Sequence, residues 1–202
     1  EFLKEFPTKP FILCEYTHAM GNSNGAMHKY IEYTEEEPRA QGGFIWDYID
    51  QSIYKKDRYG VEFQAYGGDF GDRPNDGNFS GNGIAIGPDR AESPKMQEVK
   101  FNYQGIKLFV NGDKVKIRNK YLFTNTSEFN VYEILYKDGK EYAKEMMTTD
   151  VEPLSEKEYK LPIEIPNVEG EFVAEVSVRL KHCTNYAKCG YEIAFGQAVV
   201  KK

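Results

Sequence analysis

Glu15 and His18 are the residues whose types and spacing could do chemistry. They follow a run of four apolar residues, Phe11-Ile12-Leu13-Cys14, and precede the turn-forming Gly21-Asn22-Ser23. Such a run reads as a strand buried on both faces, the habit of a parallel sheet, with Cys14 as an inert core thiol. A carboxylate at the C-terminal end of a buried parallel strand sits where α/β folds keep their catalytic groups. There it can attack as an anion or move a proton. The plainer alternative is a carboxylate that caps the next helix or pairs with a base.

The elements that would position this pair can be read from the flanking sequence. A parallel strand is expected over about 10–15 and a helix over about 24–37. Met27, Tyr30, Ile31 and Thr34 fall at helical spacing on its inner face. Asn22 or Asn24 can cap its start, and Pro38 ends it. Gln41-Gly42-Gly43 reads as a turn. Phe44-Ile45-Trp46 then repeats the buried run and ends in Asp47, giving a second strand over about 43–48. Strand, helix, strand is a βαβ unit with parallel strands. Residues 52–92 hold many of the glycines and read as one long loop. Phe63, Tyr66, Phe70 and Phe79 punctuate it, which favours an ordered, functional loop over a disordered one. A short helix over about 93–104 closes the region, with Met96, Val99, the Lys100 stem and Tyr103 on one side.

From Gly105 the period becomes strand-like. Val115, Ile117 and Asn119 alternate with polar residues. Tyr121-Leu122-Phe123, Phe129–Tyr136, Glu158–Leu161, Phe172–Leu180 and Tyr191–Val200 are further strand candidates. Asp138-Gly139 between two such runs is a hairpin signal. Seven or so short strands in about a hundred residues read as an antiparallel β-sandwich of immunoglobulin type. The expected class is therefore α/β plus all-β, with domains at 1–104 and 105–202.

The chain has 202 residues, 40% hydrophobic and 14% aromatic, so a sizeable core is possible. A net charge of −6 without a basic stripe argues against nucleic acid as a partner. No apolar stretch is long enough to span a membrane. Cys14, Cys183 and Cys189 make no disulfide framework, and Cys183 and Cys189 could pair or stay free. The first residue is Glu1, not Met, and the opening reads as a piece of a longer protein.

Four segments closely resemble one family. They are Cys14-Glu15-Tyr16-Thr17-His18-Ala19-Met20-Gly21-Asn22-Ser23, Gln41-Gly42-Gly43-Phe44-Ile45-Trp46-Asp47, Tyr66-Gly67-Gly68-Asp69-Phe70-Gly71-Asp72, and Asn75-Asp76 with Phe79 and Asn82-Gly83. Their order and spacing match the large bacterial β-galactosidases of glycoside hydrolase family 2. The likeness is strong over about 8–105 and weaker to the end, where Ala187–Gln197 looks like the close of an immunoglobulin-like domain.

This resemblance implies that the first half is the C-terminal portion of a (β/α)8 TIM barrel. It implies a retaining hydrolysis of terminal non-reducing β-D-galactose residues in a galactoside, with Glu15 as nucleophile. His18 would contact sugar hydroxyls, and Trp46 would form the wall of the sugar pocket. Phe79, by its carbonyl, and Asn82 would hold Na+, with Asn82 also near the sugar; Asp76 would orient their loop. The acid/base glutamate, the Mg2+ ligands and a substrate-contacting tyrosine of the family have no counterpart in these residues. Thr17 and Asn24 depart from the family's usual residues. A homo-oligomeric parent in the cytoplasm or periplasm of a bacterium fits the resemblance, and this chain alone is expected to be inactive. Two alternatives remain: a β-glucuronidase or β-mannosidase of the same family, and a non-catalytic carbohydrate-binding or interaction module.

Overall fold

In a computed structural model that describes residues 2–202, the chain divides into two compact units, the first ending at Tyr103 and the second beginning at Gln104. The first opens with one helical turn, α1 (Phe2–Glu5), then β1 (Phe11–Tyr16), α2 (Met27–Glu36) and β2 (Ala40–Ile45). β1 and β2 pair in parallel, with Phe11 opposite Ala40 and Tyr16 opposite Ile45. The expected βαβ unit is present, with its second strand starting a few residues early. Gln41-Gly42-Gly43 is strand rather than turn. A Cβ on Gly43 would come within 2.8 Å of the Leu13 Cβ, so the glycine is what lets β2 approach β1 there.

Two further expectations are corrected. The apolar run is not buried on both faces: Leu13 and Tyr16 face Tyr30, Ile31 and Thr34 of α2 around a small cavity, but Ile12 is 58% exposed and Phe44 of β2 is 67% exposed. Cys14 is an exposed free thiol, not a core residue. The cause is that this sheet has two strands, and α2 covers one face of it. Neither Asn22 nor Asn24 caps α2. Ala26 stands at the N-cap with φ 56° and no side-chain cap. At the other end Glu37 is already extended, as a residue before Pro38 must be.

The 52–92 stretch is more structured than its composition suggests. β3 (Ile53–Lys56) and β4 (Glu62–Ala65) form an antiparallel hairpin. Its loop is closed by the Asp57 carboxylate, which accepts from the N–H groups of Tyr59 (2.8 Å) and Val61 (2.9 Å). A 3-10 turn at Gly77–Ser80 and the short pair β5 (Ala85–Ile86) and β6 (Ala91–Glu92) follow. α3 (Lys95–Tyr103) closes the unit. Its one fully buried residue is Asn102, not a member of the expected apolar side; the amide donates to the Glu98 carbonyl at 2.9 Å.

The second unit holds β7 (Ile106–Asn111), β8 (Lys114–Asn119), β9 (Phe129–Lys137), β10 (Lys140–Met147), β11 (Glu156–Lys160), β12 (Phe172–Leu180) and β13 (Glu192–Lys201). One antiparallel sheet has the order β10-β9-β12-β13 and the other β11-β8-β7. Ile106, Val115, Ile117, Leu135, Phe172 and Val176 lie in the core that both sheets share, the arrangement of a two-sheet sandwich. The Asp138-Gly139 turn joins β9 to β10 with both residues at positive φ, as a tight hairpin needs. Tyr121-Leu122-Phe123 is not a strand. The buried Asn119 amide donates to the carbonyls of Thr124 and Val151, and its oxygen accepts from the Tyr121 N–H at 3.0 Å. This side chain folds the backbone away from the sheet and leaves Leu122 and Phe123 exposed. Cys183 and Cys189 are joined by a disulfide in the β12–β13 connection. No helix among the described residues is long and apolar enough to cross a membrane.

Candidate active site

Glu15 is the next-to-last residue of β1 and its side chain is exposed. Beyond it the chain enters a tight turn with Thr17 at φ 45° and Gly21 at φ 61°. This turn is fastened at three points. The Ala19 N–H donates to the Trp46 carbonyl (2.7 Å), the Ser23 hydroxyl donates to the His18 carbonyl (2.7 Å), and the Lys95 ammonium of α3 donates to the Ala19 carbonyl. Sequence reasoning missed Lys95, because nothing local to position 95 indicates a partner so far back in the chain. Behind β1 the Tyr16 and Tyr103 hydroxyls are hydrogen-bonded. Burial first, and that bond second, push the Tyr16 phenol well above the usual tyrosine range. It stays neutral and acts as a brace.

Trp46 follows β2 directly, and its indole is 40% exposed. The peptide after it, Trp46-Asp47, is cis. From there the backbone runs beside the segment that carries the last candidates. The Asp47 N–H donates to the Asn82 carbonyl (2.8 Å), and the Ile84 N–H returns a bond to the Asp47 carbonyl (2.9 Å). Phe79 lies in the 3-10 turn, and its ring meets the His18 imidazole at 5.5 Å between centroids. His18, Trp46, Phe79 and Asn82 are therefore brought together beyond the C-terminal ends of β1 and β2, around the strand that presents Glu15. Asp76 precedes the same turn.

The Asn82 loop is held by a residue the sequence did not single out. The Asp50 carboxylate accepts from the Gly83 N–H (2.7 Å) and the Gly87 N–H (3.1 Å). A Cβ on Gly83 would collide with the backbone of Ile49 and Asp50, so only glycine fits against this clamp. The available signal was weak: a carboxylate three residues past Asp47, at the end of the second buried run.

Asn82 is 1% exposed and its Oδ1 has no hydrogen-bond partner within the chain. An enclosed, unpartnered amide oxygen is the kind of ligand a hard cation such as Na+ takes. No group of three or more His, Cys, Asp or Glu side chains that could hold a metal ion converges among the described residues. The arrangement offers one exposed carboxylate, an aromatic wall, an imidazole and an unpaired amide oxygen, suited to a ligand with one apolar face and several hydroxyls.

Residues 1–108 match the family model for the TIM barrel domain of glycosyl hydrolases family 2, and residues 115–201 match that for domain 4 of beta-galactosidase. The chain is 48% identical to a beta-galactosidase of Halalkalibacterium halodurans over 205 residues, which is 100% of this chain and 20% of that protein. It is 50% identical to a beta-galactosidase of Clostridium acetobutylicum over 202 residues, 100% of this chain and 22% of the relative. A beta-galactosidase of Streptococcus thermophilus is 42% identical over 196 residues, 97% of this chain and 19% of the relative. The chain thus spans about a fifth of the length of these curated relatives.

Proposed function

Because the chain belongs to glycoside hydrolase family 2, we propose that it is the Glu15-bearing part of a retaining β-galactosidase that releases terminal β-D-galactose from galactosides. The observation that carries this reading lies at the end of β1: Glu15 is exposed there, and the segments carrying His18, Trp46, Phe79 and Asn82 are tied to one another just beyond it. On this reading the first unit is the C-terminal portion of a (β/α)8 barrel. The second is an immunoglobulin-like sandwich, and the parent is a homo-oligomer.

In the proposed mechanism the ionised Glu15 attacks the anomeric carbon and forms a glycosyl–enzyme ester. A second carboxyl, roughly 5–5.5 Å away as retention requires, protonates the leaving oxygen and then activates water. That group belongs to the parent, outside these residues. The exposed Trp46 indole lies against the C–H face of galactose, and His18 hydrogen-bonds its hydroxyl edge. The Phe79 carbonyl and Asn82 Oδ1 would hold Na+, which when bound supplies a fixed positive charge against a sugar hydroxyl. No step is assigned to Mg2+.

The test is Glu15→Gln in the complete enzyme. The amide keeps the shape but cannot attack as an anion, so turnover should vanish while the fold persists. A variant that keeps more than about a tenth of wild-type activity removes Glu15 from the role. A panel of nitrophenyl glycosides tests the sugar: the galactoside should be the best substrate, and a preference for the glucuronide or mannoside would move the assignment within the family.

A further inference from the structure

The turn after β1 contains a side chain that the mechanism above does not use. Asn24 is 3% exposed, and both its amide nitrogen and its amide oxygen are enclosed with no hydrogen-bond partner within the chain. Two more orphaned atoms lie in the same turn, Thr17 Oγ1 and His18 Nε2. The Ser23 hydroxyl donates to the His18 carbonyl at 2.7 Å, which draws the Asn24 end of the turn back to His18. Leaving a buried amide wholly unpaired costs the full desolvation of a donor and an acceptor, and native proteins rarely tolerate it. The backbone of the turn is left-handed at two positions. Asn24 has φ 67°, which asparagine adopts more readily than most residues, and Thr17 has φ 45°, which a β-branched residue seldom adopts.

His18 needs what these atoms can provide. Its ring touches Phe79, but a ring contact does not choose which nitrogen carries the proton or where each points. A hydrogen bond to one ring nitrogen makes that choice. We propose that Asn24, with Thr17, is a positioning residue for His18, holding its Nε2 through one internal water so that the imidazole meets the sugar in a single orientation and tautomer. Asn24 is too enclosed to meet a sugar that must enter and leave. Water is small enough, and Asn24, Thr17 and His18 offer the two to four polar partners a buried water needs. The inference rests on the reading of His18 as a sugar contact.

The experiment is a double-mutant cycle in the complete enzyme with nitrophenyl galactoside. Asn24→Gly deletes the amide and relieves the left-handed backbone. His18→Phe keeps the ring contact and deletes both nitrogens. Asn24→Gly should raise KM about tenfold with a smaller change in kcat, and should add nothing to the His18→Phe variant, because the two act as one unit. An unchanged KM with equal or higher thermal stability would mean an idle orphan and overturns the proposal. So does a double variant whose KM increases multiply. If Asn24→Gly does not fold, Thr17→Gly is read by the same criteria. A His18→Phe variant with wild-type KM overturns the reading of the site and this inference with it. Activity retained by Glu15→Gln, by contrast, overturns only the proposed nucleophile.

Discussion

The two units solve opposite problems. The second, from Gln104 on, saturates itself: seven strands in two sheets enclose one core, and Val115, Leu135, Phe172 and Val176 are all but completely buried. The first is built from a two-stranded parallel pair, two small antiparallel pairs and short helices, and it leaves even Ile12 and Phe44 of its parallel pair exposed, whereas the large apolar residues that the second exposes, such as Leu122 and Phe123, include ones outside its strands. Unsatisfied polarity is divided the same way. Of the seven buried side-chain atoms without a partner among the described residues, six belong to Thr17, His18, Asn24, Ser80 and Asn82, and one to Thr149. A scaffold can meet its own needs. A site must leave some groups to be met by what it binds, and by the rest of the protein in which it works.

The sharpest way to break this contrast is to ask the 202-residue chain to act alone. It should not hydrolyse nitrophenyl galactoside. General acid catalysis is worth about 10²–10⁴-fold, and the proposed acid is not among these residues. Positioning by a formed pocket, worth about 7–11 kcal/mol at its best, is missing too. Turnover above background that disappears in Glu15→Ala would show that the exposed half builds a working site unaided.

Next in size is a pair of truncations of like chemistry. Phe172→Ala deletes a fully buried ring from the shared core and should cost about 3–5 kcal/mol in denaturant unfolding of the second unit. Phe44→Ala removes a ring that is 67% exposed and should change the stability of this chain by less than about 0.5 kcal/mol. Comparable losses from both would mean that the exposed face of β1 and β2 is covered in solution.

These expectations also mark what was legible in the sequence. Strand and helix periods disclosed the βαβ unit, the hairpin at Asp138-Gly139 and most sandwich strands, because each depends on near neighbours and turn chemistry. Burial was misjudged at Cys14 and Ile12, since an apolar run reports what a strand prefers, not whether a second layer covers it. Gln41-Gly42-Gly43 was misread because glycine serves both turns and close strand approach, and only the position of Leu13 distinguishes them. The glycine-rich stretch hid a hairpin, and Asn119 diverted Tyr121-Leu122-Phe123 through side-chain bonds that no period reveals. The motifs named Glu15, His18, Trp46, Phe79 and Asn82. Asp50 and Lys95, which pin the segments beneath them, act across 33 or more residues and left almost no local mark.

Asp50 sharpens the comparison at intermediate size. Its carboxylate is the one clamp described on both Gly83 and Gly87. Asp50→Ala in the complete enzyme should release the Asn82 loop and lower kcat/KM by about 10²-fold, the scale expected of a roughly 1 Å misplacement, with a modest loss of thermal stability. The loss should be regained in part at high sodium if Asn82 holds that ion, by mass action on the bound state. An activity change below about threefold would mean that the loop is held well enough by its backbone bonds to Asp47.

The smallest effect probes a carboxyl group buried inside the second unit. Glu133 points into the sandwich from β9, between Val131 and Leu135, and is 1% exposed. Its Oε2 accepts from the Ile163 N–H at 2.7 Å. Burial pushes its carboxyl above the usual range, with a smaller upward contribution from Glu145 on the paired strand; the Ile163 bond opposes them. The folded state therefore binds a proton more tightly than the unfolded chain does. Between the unfolded value near 4.3 and the raised folded value the native state holds more protons, so stability falls as pH rises through that window and stays lower at neutral pH. Glu133→Gln cannot ionise, yet its amide oxygen can still accept from Ile163. It should leave stability near pH 4 almost unchanged and raise the melting temperature at pH 7. Thermal melts of both proteins between pH 4 and 8 check this. A glutamine variant that melts lower at pH 7 would mean that the charged carboxylate is held by more than one N–H. The contrast between the units would then weaken, because the sandwich too would keep a polar group whose partner lies beyond its own sheets.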